Sequence, residues 1–199
     1  PERALRVCLE GQGTGLRMEA CGETGSGKRI SAMTEKGAAS SSEERELLVR
    51  LTVLAKEAGF SYRRSQRDFM MNYADRIMGF FKRGMSRLKQ RFGEVELDIE
   101  AERMSEGVHS VEVLGRVSAA GVSKIALDWE MRLGEDLLTE GGMQRLARAG
   151  RGTHVVKGLG LVRIEAEQSA ALAEWKVGSG VQGQTWPRYM IFSLFGEQG

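Results

Sequence analysis

Leu5-Arg6-Val7-Cys8-Leu9-Glu10, resumed after Gly11-Gln12-Gly13-Thr14-Gly15 as Leu16-Arg17-Met18-Glu19-Ala20, is the stretch that decides the fold. Apolar residues occupy every second position on both sides of a glycine-rich turn, the period of a strand with one buried face. Pairing Leu9 with Leu16 also pairs Val7 with Met18 and Leu5 with Ala20, so the expected hairpin is apolar along one face. That register keeps Cys8 and Cys21 several residues apart, which argues against a disulfide between them. Further along the chain the same alternation returns in Ile125, Leu127, Trp129, Met131 and Leu133. Shorter versions are Val95, Leu97 and Ile99, then Val111 and Val113 with Val117 beyond. Val155-Val156 and Leu161–Ile164 predict a second hairpin around Gly158-Leu159-Gly160.

Helical spacing lies between these strands. Ser41 stands three residues before Glu44, a capping box, and Leu47, Leu48, Leu51, Leu54, Ala55 and Ala58 follow until Gly59. A second helix is expected from about Asn72, with Ile77, Phe80, Phe81, Met85, Leu88 and Phe92 as its apolar stripe; Gly79 and Gly84 make it dependent on packing. Shorter helices are expected over about 140–149 and 166–176. Residues 22–42, rich in Gly, Ser, Thr and Lys, read as a mobile loop, and Phe60 to Met71 is mixed and basic. Asp98, Glu100, Glu102 and Glu106 read as a solvated loop. The expected architecture is α+β: mostly antiparallel strands with about four packed helices over residues 1–177, a Gly-rich linker over 178–184, and an apolar C-terminal segment over 185–199 available for docking.

Composition narrows the class without naming a function. The 199 residues carry 29 Lys and Arg against 27 Asp and Glu, a net charge of +2, with 41% hydrophobic residues. These are the proportions of a globular chain, not of a disordered one. No apolar run reaches the ~18–20 residues of a membrane helix. Two cysteines exclude a disulfide scaffold or a four-cysteine zinc site and fit a reducing cytoplasm. The chain starts at Pro1, with no signal-like segment, which reads as a processed chain or a piece of a longer one.

Gly22-Glu23-Thr24-Gly25-Ser26-Gly27-Lys28-Arg29 matches a phosphate-binding P-loop through the lysine. It then has Arg29 where that loop needs a Ser or Thr hydroxyl for Mg²⁺, and no apolar helical stripe follows. His109 and His154 lack ligand-like spacing, and neither Cys8 nor Cys21 belongs to a CxxC pair, so no metal or nucleophile site is expected. Trp129 and Trp175 read as core, leaving Trp186 as the exposed candidate for base stacking.

The basic stretch carries more information. From Ser61 to Arg91 there are nine cations against Asp68 and Asp75, a local charge of +7 in a chain whose total is +2. Arg76, Arg83 and Arg87 are spaced seven and four apart and share a helix face. With Lys82 and Arg91 they form a candidate surface for nucleic-acid phosphates, which Arg145, Arg148 and Arg151 would extend. The plain alternative is a solvated helix face or a contact for an acidic partner.

Three stretches together resemble a known family. They are Glu46-Leu47-Leu48 through Ala58-Gly59-Phe60; Ala74-Asp75-Arg76-Ile77-Met78-Gly79-Phe80-Phe81 through Leu88 to Gly93-Glu94-Val95; and Leu127-Asp128-Trp129-Glu130-Met131 with Leu138-Thr139-Glu140, Met143-Gln144-Arg145-Leu146-Ala147, Val155-Val156-Lys157-Gly158 and Val162-Arg163-Ile164. Their order resembles the accessory region that precedes the motor in bacterial SNF2-type helicases of the Swi2/Snf2 group. The resemblance spans about residues 3–177 as a pattern, without an active-site motif. Two departures are Glu130, where the family often has an aromatic, and Gly158-Leu159-Gly160, where it often has an Asp-Gly turn. The family's cysteine-histidine zinc module is not in this chain.

The resemblance implies a non-catalytic, cytoplasmic domain that positions or regulates a C-terminal ATPase motor of the same protein and contacts double-stranded DNA. ATP and Mg²⁺ would belong to that downstream motor, and no cofactor or membrane contact is expected here. The rival readings are a stand-alone protein-interaction module docking through the apolar C-terminal segment, and a small nucleotide-binding enzyme using Lys28.

Overall fold

The structure is a computed structural model that describes residues 5–23, 29–33, 41–174 and 185–190. The chain is α+β, and it divides into two compact units: Pro1–Val108 with Val155–Leu161, and His109–His154 with Val162–Gly199.

The opening hairpin, β1 (Leu5–Gln12) and β2 (Gly15–Glu23), forms the middle of the first unit's sheet. Its register differs from the expected one by two residues: Leu9 faces Met18, Val7 faces Ala20, and Gly11 faces Leu16. The strands run on into the glycine segment and close through Gly13-Thr14 alone, with Gly13 at φ +61°. A glycine at the first central position is what a two-residue II′-type turn requires. Because the slip is even, every side chain keeps its face. Cys8 faces Glu19 and Cys21 faces Arg6; both cysteines are buried and not bridged to each other.

β3 (Arg29–Ser31) pairs antiparallel with β2, so part of the stretch expected to be a loop is sheet; residues 24–28 and 34–40 of that stretch lie outside the described residues. β4 (Ser61–Arg63) and β5 (Asp68–Met71) form a hairpin within the mixed, basic stretch, to which the sequence pattern assigns no element. All four residues of β5 are buried, so this strand shows no alternation to read. β6 (Val95–Leu97) joins β1 in parallel, giving the order β4-β5-β2-β1-β6 with β3 beside β2.

One face of this sheet is the apolar core. Val7, Leu9, Leu16, Met18, Phe69 and Met71 pack there against α1 (Ser42–Glu57), through Leu51 and Ala55, and against α2 (Ala74–Gly79) and α3 (Met85–Phe92), through Ile77 and Leu88. Ser41 caps α1 as expected, its Oγ accepting the Glu44 N–H at 3.1 Å. α2 and α3 are one continuous helix joined by a π-helical turn, Phe80–Gly84, in which Met85 N–H donates to the Phe80 carbonyl. The buried positions run Ile77, Phe80, Met85, Leu88: steps of three, five and three. The step of five is the extra residue of the wide turn. Phe80 sits edge-on to Phe60, with ring centres 5.1 Å apart. A Cβ on Gly84 would stand 2.5 Å from the Phe80 ring, so the glycine makes room for it.

Residues 99–105, expected to begin as strand and continue as solvated loop, are a helix, α4 (Ile99–Ser105). Asp98 is its N-cap: Oδ1 accepts from Ala101 N at 2.7 Å and from Gly11 N at 3.0 Å. Glu100 accepts the Gly158 N–H at 2.8 Å. These carboxylates are structural, and α4 adds a helix to the four expected.

The second unit is built on β8 (Glu112–Ala119) and β9 (Lys124–Leu133), an antiparallel pair with β10 (Asp136–Leu137) and β13 (Thr185–Pro187) also on β9. Ile125, Leu127, Trp129 and Met131 are buried, as their alternation predicts. α5 (Glu140–Ala149) is capped by Thr139 and buries Met143 and Leu146, and α6 (Ala166–Glu174) buries Leu172. Three short strands, β7 (Val108–Ser110), β11 (Gly152–Val156) and β12 (Gly160–Ile164), make a sheet of order β11-β12-β7. The expected linker over 178–184, Trp175 and residues 191–199 lie outside the described residues.

Candidate nucleic-acid interface

Two groups of cations in the first unit have different surroundings. On the polar face of the sheet, Arg17 Nε donates to Asp68 Oδ2 at 2.6 Å while its two terminal nitrogens reach Glu10 and Glu19, each at 2.8 Å. Arg63 holds the same carboxylate from the other side at 2.7 Å and also donates to Gln12. Asp68 is 1% exposed. Burial works against its charge, but the hydrogen bonds from Arg63 and Arg17 outweigh it and hold the carboxyl below its ordinary range. Arg63, counted in the basic stretch, is therefore committed to the sheet.

Along the α2–α3 helix the arrangement is different. Arg76, Arg83 and Arg87 are exposed and line one concavity of about 530 Å³, whose other wall is the C-terminal end of α1 at Glu57, Ala58 and Gly59. Asp75 and Glu57 line it too, leaving the lining net positive by one. The C-terminal end of a helix carries partial negative charge and favours cations beside it, which suits the guanidinium side chains that line the same concavity. Gly79 keeps the helix surface low under Arg83, whose terminal nitrogen lies 3.5 Å from where a Cβ would stand. Among the described residues none of Arg76, Lys82, Arg83, Arg87 and Arg91 forms an ion pair.

The structure thus brings together three of the five candidate residues in this concavity. Arg91 lies one turn beyond Arg87 and lines a neighbouring groove with it, and Lys82 is exposed but lines neither. Arg145 and Arg148 are exposed on α5 and Arg151 follows it, in the second unit.

Tyr73 was not singled out by sequence. It is 72% exposed, takes φ +73° at the entry to α2, and carries the Arg76 guanidinium 5.5 Å from its ring centre. A positive φ is costly for a bulky side chain, and no sequence pattern signals it at a tyrosine. Trp186, expected to be exposed, is half-buried in β13 and faces Ile125 across the pair with β9. The Gly-rich motif lies between antiparallel strands: β2 ends at Glu23 and β3 starts at Arg29, so a strand stands where a P-loop has its helix. His154 Nε2 lies 2.9 Å from the Gly150 carbonyl, and among the described residues no three His, Cys, Asp or Glu side chains are grouped to hold a metal. No described helix is long and apolar enough to cross a membrane.

Comparison of the chain with protein-family models, with curated proteins and with solved structures finds no match in any of the three.

Proposed function

We propose that this chain is a non-catalytic accessory domain that contacts nucleic-acid phosphates through Arg76, Arg83 and Arg87, with Lys82 and Arg91 flanking them. The observation that carries the reading is that three exposed guanidinium groups line one concavity without an ion-pair partner among the described residues, while Arg17 and Arg63 in the same unit are held by carboxylates. Guanidinium groups bind phosphate oxygens in pairs and stay charged at any working pH. The sequence resemblance supplies the setting: a domain beside an SNF2-type DNA-dependent ATPase motor, positioning or regulating it on double-stranded DNA.

The test is a titration of a short labelled duplex with the 199-residue chain at two salt concentrations. Affinity should fall steeply with salt, with a slope reduced by about one for each arginine removed. Absence of binding at low salt, or binding that Arg76→Ala, Arg83→Ala and Arg87→Ala together leave unchanged, overturns the proposal.

A further inference from the structure

The neighbouring groove differs in character from the phosphate surface. It holds about 410 Å³ between α1 and α3, within the ~300–1,000 Å³ range of clefts that hold ligands. Val49, Val53 and Leu54 supply its apolar lining, and Arg50, Arg87 and Arg91 set positive charge against the single carboxylate of Glu57. Val49 and Val53 are one helical turn apart and 63% and 52% exposed. Leu51 and Ala55 face the core, so the two valines belong to the opposite side of α1. A β-branched residue on an exposed helix face lowers helix propensity and gains no burial. Arg50 is held in place by Glu46 at 2.6 Å, and Arg87 and Arg91 stand four apart on α3.

From this juxtaposition we infer that the groove between α1 and α3 binds an acidic amphipathic helix of a protein partner. The partner's apolar side chains, one turn apart, cover Val49 and Val53, and its flanking Asp or Glu residues meet Arg87 and Arg91. Duplex DNA fits the lining less well, because phosphates give the valines nothing to pack against, whereas a helix laid in a groove satisfies both the apolar and the charged part. Arg87 lines both concavities, so a bound acidic helix takes a cation from the phosphate surface. Helix and duplex then weaken each other's binding by the same factor.

The probe is a synthetic helical peptide of about 16 residues, with leucines at i, i+3, i+4 and i+7 and glutamates beside them. Its control has lysines in place of the glutamates. The measurement is fluorescence anisotropy with the intact chain and no DNA present, so the result does not depend on the phosphate-binding proposal. The glutamate peptide should bind at least about tenfold tighter than the lysine peptide, and Val53→Lys should weaken it by at least about tenfold. The circular dichroism of Val53→Lys should stay unchanged, since the side chain is exposed. As a second variant, Arg91→Glu should shift preference toward the lysine peptide. No binding of either peptide, equal binding of both, or indifference to both substitutions overturns the proposal. A duplex that binds tighter to Val53→Lys while the glutamate peptide does not bind assigns the groove to DNA instead.

Discussion

On the polar face of the first unit's sheet, Arg17 and Arg63 reach Asp68 at 2.6 and 2.7 Å, whereas on the α2–α3 helix Arg76, Arg83, Arg87 and Arg91 reach no carboxylate among the described residues. The two sets share one compact unit and one side-chain chemistry. What separates them is burial of the partner. Asp68 and Glu19 are 1% and 5% exposed, and a carboxylate taken from water needs its charge met by fixed donors. The sheet arginines therefore belong to the fold. The helix arginines are exposed and have no ion-pair partner among the described residues, although Arg76 lies over the Tyr73 ring. The local charge of residues 61–91 counts Arg63 and the helix arginines alike, and only their surroundings tell them apart.

The largest effect that can break this comparison is at Asp68. Asp68→Ala leaves two guanidinium groups facing each other on a partly buried surface without their shared counter-charge. The expected loss is about 3 kcal/mol, the lower end for removing one partner of a buried pair. Urea unfolding followed by circular dichroism measures it; a loss below about 1 kcal/mol would put the sheet arginines in the same class as the helix ones. The acid limb sharpens the same point. Asp68 is held below its ordinary value in the fold, so its contribution is fully present above the unfolded-chain value, near pH 4, and is lost as pH falls through the lower folded value. The stability gap between the native chain and Asp68→Asn should narrow below about pH 4 and stay constant from about pH 5 to 7.

The next effect tests whether the helix that displays the free-facing arginines depends on its wide turn. Gly84→Ala puts a methyl 2.5 Å from the Phe80 ring, which is itself packed against Phe60 and Phe81. With two ring atoms at 3.0 Å or less the cost falls toward the upper part of the ~1–3 kcal/mol range for overpacking, and so exceeds the ~1 kcal/mol that alanine gains in helix propensity. Gly79→Ala has only the flexible tip of Arg83 nearby, at 3.5 Å, and should stabilise by about 0.5–1 kcal/mol. Two like substitutions in one helix are thus expected to have opposite signs. The same sign for both would mean that the turn does not depend on Gly84.

How far these features were legible in the sequence depends on what each one rests on. The hairpin faces came through because alternation survives an even slip; the register did not, because the II′-type turn at Gly13-Thr14 competes with three other two-residue positions within Gly11–Gly15. Here Gly11 is strand because Glu100 packs where its side chain would stand and Asp98 accepts its N–H, contacts made from α4 some ninety residues away in the chain. α4 itself was hidden by its carboxylates: Asp98 and Glu100 look solvated until their partners, the N–H groups of Ala101 and Gly158, are in place. The arginine stripe was legible from spacing alone. Its sheltering wall at the end of α1, and the valines that α1 turns outward beside Arg87, required the packing of two helices.

The smallest effect on stability carries the functional half of the comparison. Arg83→Ala and Arg87→Ala remove exposed side chains with no ion-pair partner among the described residues, so each should move Tm by less than about 2 °C. The same pair should reduce the salt dependence of duplex binding by about one per residue. Arg17→Ala is the matched control: it withdraws a donor from Asp68, Glu10 and Glu19 together. Arg17→Ala should lower stability by about 2–3 kcal/mol and leave the salt slope of the folded protein unchanged. If Arg83→Ala instead destabilised the chain as much as Arg17→Ala did, the helix arginines would be part of the packing. The concavity they line would then be a consequence of the fold and not a surface that the fold presents to phosphate.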